Sequence, residues 1–309
     1  MKKDTPLCEA CGARNIRLVT LRPDLAYWCC RECGHCLIDL KDGLEAGFDA
    51  AQIQYFGSGS LLLQEVPAVF EREILNERKR LAYNYIPPSS HVVEVGPGSG
   101  FFARLLKGQG HHVELVEHSS DLAEALGRQL CVPMHIGEFE KAVLSGGAAD
   151  VFCSFHVIEH VKDPLAHLRT GLAAVRPGGI GLIATPNARS WQQNLFVGLS
   201  PNFDSAHLRV FSKASLRRYT KLSGWLIESE FTPEYTSGWL RVLSKALRKI
   251  KGEDEEGTAG MYAAPSPKLS AVYRLAAILS WPIRQLQVRF GGGNEIFLVL
   301  RRPEENKED

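Results

Sequence analysis

Residues 92–100 read Val92-Val93-Glu94-Val95-Gly96-Pro97-Gly98-Ser99-Gly100. Residues 92–95 are β-branched apart from Glu94, the composition of a buried strand. Three glycines at alternate positions follow, where the backbone can turn sharply and approach a ligand because no Cβ intervenes. Residues 101–107 then place Phe101, Leu105 and Leu106 as the apolar positions of a helix. A strand, a glycine-rich turn and a helix in that order build a nucleotide-type site in an open α/β sheet. The spacing is G-x-G-x-G, so the third glycine comes one residue earlier than in the dinucleotide fingerprint G-x-G-x-x-G.

Working outward, the same alternation continues. A helix over 61–85 is stopped by Pro87-Pro88. Strands are expected at 92–95, 112–116, 132–136, 150–155 and 180–184, and helices at 100–108, 121–130 and 164–175. Gly137-Glu138-Phe139-Glu140 reads as a loop and Pro177-Gly178-Gly179 as a turn. Alternating β and α segments predict a parallel sheet covered on both faces.

The chain has 309 residues, 45% of them hydrophobic, and a net charge of +1. That size accommodates one large domain and a small one. The near-zero charge argues against a nucleic-acid partner. No apolar run reaches the roughly 18 residues that span a bilayer, and no apolar segment backs the first residues, so a cytoplasmic location with reduced thiols is expected.

Six of the eight cysteines fall in the first 36 residues. Cys8-Glu9-Ala10-Cys11-Gly12 and Cys30-Arg31-Glu32-Cys33-Gly34 are two C-x-x-C-G knuckles with 18 residues between Cys11 and Cys30. Two intervening residues let both thiolates reach one ion, and the glycine permits the tight turn. Four thiolates suit structural zinc, with residues 16–28 as a hairpin between the knuckles. Cys29 and Cys36 are surplus, and a Cys33/Cys36 pair is an alternative second knuckle. Cys131 and Cys153 read as small buried hydrophobes.

Glu94 with the G-x-G-x-G turn resembles motif I of the class I S-adenosylmethionine (SAM) methyltransferases, and further residues extend the resemblance. Glu117 ends the second strand, where the family binds the ribose hydroxyls. Glu138 and Phe139 stand where it contacts adenine. The segment His156-Val157-Ile158-Glu159-His160-Val161 and the later Arg176-Pro177-Gly178-Gly179 match its pattern around the fourth strand, and Thr185-Pro186-Asn187 closes the fifth. The resemblance spans about residues 60–235 and 294–301. It is nearest to ubiquinone-type O-methyltransferases and to sugar or natural-product methyltransferases, some of which carry an N-terminal zinc module. It implies cofactor binding by Glu94, Gly96, Gly98, Gly100, Glu117, Glu138, Phe139 and His156. It also implies a small-molecule or glycan acceptor, with RNA methylation or a non-catalytic SAM-binding scaffold as alternatives.

Small-RNA 2′-O-methyltransferases and some ubiquinone O-methyltransferases hold a divalent metal in the 156–160 segment, which here contains His156 in place of their glutamate. His156, Glu159, His160 and His207 are thus a candidate divalent-metal set. Alternatively, His160 or His207 acts as a metal-free base beside Glu159, or the cluster has a structural role.

The last two strands are expected at 226–231 and 295–301, where the usual short connection is replaced by 63 residues, 232–294. They hold a basic amphipathic stretch at 239–251, an acidic linker at 252–257, and a helical segment at 269–290 interrupted by Pro282. The basic stretch suits either a membrane surface or anionic carrier, or a solvated helix packed on its own domain. An insertion over the acceptor side would offer Trp239, Tyr262, Tyr273 and Trp281 as pocket walls. The expected organisation is a zinc ribbon (1–41), a connector (42–60), a Rossmann-like seven-stranded methyltransferase core (61–235), a helical insertion (236–293), and a last core strand with its tail (294–309).

Overall fold

The computed structural model describes residues 6–22, 25–40, 67–144, 148–196, 199–200, 202–203, 205–251 and 266–304. The expected connector, the acidic linker and Tyr262 lie outside them. In chain order the elements are β1 (Ile16–Arg22), β2 (Leu25–Cys30), β3 (Cys36–Ile38), α1 (Val69–Ala82), β4 (His91–Val95), α2 (Phe101–Gly108), β5 (His112–Glu117), α3 (Ser120–Leu130), β6 (Met134–Ile136) and β7 (Ala149–Phe155). They continue with α4 (Pro164–Ala174), β8 (Val175–Pro186), α5 (Trp191–Leu195), β9 (Arg209–Val210), α6 (Lys213–Ser223), β10 (Leu226–Phe231), α7 (Thr236–Lys251), α8 (Pro267–Arg289) and β11 (Glu295–Arg301).

The main sheet has seven strands in the order β10-β11-β8-β7-β4-β5-β6, with β11 antiparallel to both of its neighbours and the remaining pairs parallel. Strand period sorts its side chains between two cores. Val92, Val151, Cys153, Leu182 and Phe297 pack on one face with Phe102 and Leu106 of α2 and Leu126 of α3. Val93, Phe152, Ile183 and Leu298 pack on the other with Leu168 of α4 and Leu216 of α6. Burying both faces explains why these strands read as continuous apolar runs.

Three local expectations are corrected. Pro177-Gly178-Gly179 is an irregularity inside β8, where Ala149 faces Val175 but Val151 already faces Ile180. Pro282 lies within a continuous helix, α8. Its missing N–H costs one internal bond, which is tolerable on a helix face open to water. Cys131 is exposed at the left-handed end of α3, whereas Cys153 is fully buried in β7.

The ribbon does not stand apart from the core. β1, β2 and β3 form an antiparallel sheet whose fourth strand is β9, with Cys36 opposite Val210 and Leu37 opposite Arg209. Leu25, Tyr27 and Ile38 bury against Phe203, Leu208 and Val210. The Arg209 guanidinium donates to both carboxylate oxygens of Glu9 at 2.6 and 3.2 Å, and to the carbonyls of Val161 and Lys162 at 2.7 and 3.0 Å. Burial opposes the charge on Glu9, but His35 and Arg209 outweigh it and hold the carboxyl at about 2.

The sulfurs of Cys8, Cys11, Cys30 and Cys33 all lie within 4.8 Å of one another. Cys8–Cys33 and Cys11–Cys30 are 3.6 and 3.7 Å apart, close to the roughly 3.8 Å edge of a tetrahedron with 2.3 Å zinc–sulfur bonds. The donor set therefore fits zinc. The shifted Cys33/Cys36 knuckle is excluded because Cys36 is bonded to Cys29 across the β2–β3 pair. That disulfide also corrects the expectation of reduced thiols for this pair. Burial lifts Cys8 to about 11, so an ion must displace its proton and is held less tightly as pH falls.

Protein purified without chelator should contain one zinc per chain by elemental analysis. Cys8→Ser should lose the zinc and lower the melting temperature while leaving ligand binding at the glycine turn nearly unchanged. Native protein free of zinc would refute the assignment.

Candidate functional site

The parallel strands end on one side of the sheet, where open α/β sheets bind ligands. After β4 the chain turns through Gly96, Gly98 and Gly100, with φ of 62°, 54° and 70°. These angles are costly for side chains with a Cβ. A Cβ on Gly96 would also come within 2.6 Å of the Val157 side chain, so the 156–160 loop lies directly against this turn. A Cβ on Gly98 would meet nothing within 4 Å, leaving an open backbone cradle.

Two buried carboxylates border the cradle. Glu117, at the end of β5, accepts the Ser119 amide on Oε1 at 2.9 Å, and its buried Oε2 has no protein partner. Burial raises its pKa although the amides of Ser119 and His118 oppose the shift. An orphaned acceptor at this strand end suits a pair of ribose hydroxyls. Glu94 also has an unpartnered Oε2, and burial lifts it to about 8 despite the charge of Arg78.

The expected adenine contacts are placed differently from each other. Glu138 is partly exposed and pairs with Lys141 at 2.7 Å. Phe139 is buried in the core, stacked on Phe152 with ring centroids 5.2 Å apart.

The loop after β7 assembles a second group. His156 has a positive φ of 56°, and residues 156–160 form a turn rather than a helix. The imidazole of His156 lies between two carboxylates, 3.2 Å from Glu159 Oε1 and 2.6 Å from Glu295 Oε2. Burial opposes its charge, but these two partners outweigh that and raise it to about 9. Glu295 also accepts the Tyr235 hydroxyl at 2.9 Å, and Glu159 accepts Thr185 Oγ1 at 2.9 Å. Burial would raise Glu159, yet His156, His160 and His207 bring it to about 2.

His160 Nδ1 is 2.7 Å from the Ala206 carbonyl, and His207 Nδ1 is 2.9 Å from that of Asn202. Carbonyls only accept, so both Nδ1 atoms carry the proton and a neutral ring keeps its lone pair on Nε2. The two rings are 4.9 Å apart. Glu159, His160 and His207 each place one potential ligand atom within 4.8 Å of the others. The sequence-predicted quartet thus resolves into this triad, with His156 as the cation that orients Glu159.

Glu295 escaped the sequence reading. Its only signal was a carboxylate opening an otherwise apolar strand, and the antiparallel run of β11 brings that residue to the ligand end of the sheet. Of the candidate wall residues, Trp239 donates to Gln287 at 2.7 Å and Tyr273 donates to Glu73 at 2.5 Å. Trp281 is 57% exposed.

A family described as methyltransferase domain matches residues 68–230. The chain belongs to that family, and the curated relatives it matches are named as methyltransferases. A "Probable S-adenosylmethionine-dependent methyltransferase" of Mycolicibacterium smegmatis is 25% identical over 53% of this chain and 63% of its own length. A ubiquinone biosynthesis O-methyltransferase of a Methylobacterium species is 32% identical over 31% of this chain and 41% of its own. These matches span less than two thirds of either relative.

Among solved structures, Haemonchus contortus phosphoethanolamine N-methyltransferase 2 has a TM-score of 0.53 at 16% identity, covering 84% of this chain and 61% of that one. The [4+2]-cyclase SpnF has a TM-score of 0.52 at 14% identity, covering 84% and 96%. Both likenesses are of fold alone.

Calorimetry with SAM should show Glu117→Ala weakening binding by about 1–3 kcal/mol, the cost of losing a buried charged acceptor. Undetectable binding by the wild type would refute the pocket assignment.

Glu94 supplies a test that needs no ligand. Its folded pKa of about 8 lies above the ordinary 4.5, so its contribution to stability is full below pH 4.5 and is lost as pH rises through 8. Thermal melts across that window should show wild-type stability declining with pH and Glu94→Gln flattening the decline. An unchanged slope in the variant would show that Glu94 ionises freely in the fold.

Proposed function

We propose that this chain transfers a methyl group from SAM to a hydroxyl of a small molecule or sugar. The carrying observation is the Glu159–His160–His207 triad, which stands at the ligand end of the sheet on a loop packed against the glycine turn. The residues that would hold the cofactor are Gly96, Gly98 and Glu117, with Glu94 beneath the turn. Bound SAM supplies a methyl carbon on a sulfonium leaving group, so the protein's tasks are alignment and removal of the acceptor's proton.

The triad suits proton removal. Both imidazoles are fixed in one tautomer by backbone carbonyls, the orientation that metal-ligating histidines usually have. Glu159 is held ionised and aimed by His156 and Thr185. A divalent ion held by Glu159, His160 and His207 would lower the pKa of an acceptor hydroxyl. The alternative chemistry is a metal-free base at one of the same imidazoles.

Labelled SAM incubated with cell extracts, fractionated into small-molecule, glycan, lipid and RNA pools, should label the first or second. Label confined to RNA would overturn the acceptor class. His160→Ala and His207→Ala should each lower turnover by about 10²–10⁴-fold. A metal site further predicts that brief EDTA treatment removes activity, that Mn²⁺ or Mg²⁺ restores it, and that either variant loses Mn²⁺ binding by calorimetry. EDTA-insensitive activity with the same mutational loss would establish the metal-free base. Wild-type turnover in both variants would make the triad structural.

A further inference from the structure

α8 is turned inside out. Its inward face is polar: Tyr273 and Arg284 reach Glu73 of α1 at 2.5 and 3.3 Å, and Gln287 bonds Trp239 and Gln192 at 2.7 and 3.0 Å. Its apolar residues Val272, Leu275, Leu279, Ile283, Leu286 and Phe290 recur at intervals of three and four, a single helical stripe. Their exposures run from 36% to 72%. On α7, Leu243, Leu247 and Ile250 repeat the pattern at 55%, 50% and 82% exposure. A folded chain rarely leaves so long an apolar row in water without a use for it.

Charge points to the occupant. α7 and α8 together contain nine Lys and Arg, of which Arg284 is paired inward with Glu73, and no Asp or Glu, although the whole chain carries only +1. The acidic run 253–256 belongs to the linker between them, outside the described residues. Apolar rows with cations and no anions on the same helices match the boundary of an anionic bilayer, where chains meet headgroups. Among the described residues no helix is long and apolar enough to cross a membrane, so the geometry is that of a helix pair lying on the surface. At 1.5 Å per residue, α8 would extend about 35 Å along it.

We propose that α7 and α8 form a docking surface for an anionic membrane. Leu275, Leu279 and Ile283 enter the boundary, and Arg248, Lys249 and Lys251 meet the headgroups. This reading is independent of the acceptor class and of the triad's metal.

Full-length protein should be tested by co-sedimentation with phosphatidylcholine vesicles, with and without a minority of phosphatidylglycerol. Wild type should bind the anionic vesicles at least about tenfold more tightly than the neutral ones and be released by raising the salt. Leu279→Glu/Ile283→Glu should lower anionic-vesicle binding by about tenfold or more, and Arg248→Gln/Lys249→Gln/Lys251→Gln should remove the preference for charge. Both variants should keep wild-type melting temperature and SAM affinity.

Absence of vesicle binding by the wild type overturns the proposal. If scattering then shows a dimer that Leu279→Glu disperses, the face belongs to a second copy. If instead Leu279→Glu destabilises a monomer, the stripe is covered by the chain's own residues.

Discussion

The guanidinium of Arg209 is clasped by a carboxylate from the ribbon and by two carbonyls from the loop that follows His160. Its side chain is 4% exposed, so the charge has left water and depends on these partners. Removing one member of such a pair costs about 3–5 kcal/mol, because the other is left buried and uncompensated. The arrangement settles three things together: the ribbon's position, the path of the 161–162 backbone, and the placement of His207 two residues before the arginine. Tyr27 reinforces the last of these by donating to the His207 carbonyl at 2.7 Å. The ribbon thus braces the loops of the core that carry His160 and His207.

Glu94 and Glu159 show how context divides one residue type. Both are buried and both follow or end strands of the same sheet. Glu94 faces burial with only the charge of Arg78 to offset it, and it retains its proton to about 8. Glu159 faces the same desolvation, but a histidine cation bonded to it prevails and it ionises near 2. A carboxyl that keeps its proton beneath the glycine turn and a fixed anion beside His160 and His207 give the two ends of this region opposite electrostatic characters.

Much of this was legible in the chain because it is local. The glycine turn, the β-α alternation and the cysteine knuckles each declare themselves within a dozen residues, and most strands of the main sheet fall within a residue or two of their expected places, whereas β8 begins five residues early because the Pro177-Gly178-Gly179 segment runs inside it. His160 and His207 could be brought together by topology alone, since both follow strand ends on the ligand side. What was not legible depends on pairings across the chain. β9 is two residues long and exists because β3 lies beside it. The role of His156 is set by Glu295, 139 positions away. The Cys29–Cys36 bond follows from the β2–β3 register, which spacing alone did not distinguish from a shifted zinc knuckle. α8 read correctly as a helix, but its apolar face could not be assigned an outward direction until its polar face was seen to be occupied.

The brace also imposes an order on how the molecule is built. Glu9 and Arg209 are 200 positions apart. At roughly 5–20 residues per second, a ribosome takes about ten to forty seconds to travel from one to the other. During that interval the knuckles can collect their ion and close, whereas the outer edge of β3 has no partner strand. An unpaired strand edge invites wrong pairing, and only three residues of β3 are offered there. That brevity keeps the exposed edge small, and the ribbon can dock only once β9 has been made, just as the sheet can close only once β11 returns to fit between β10 and β8.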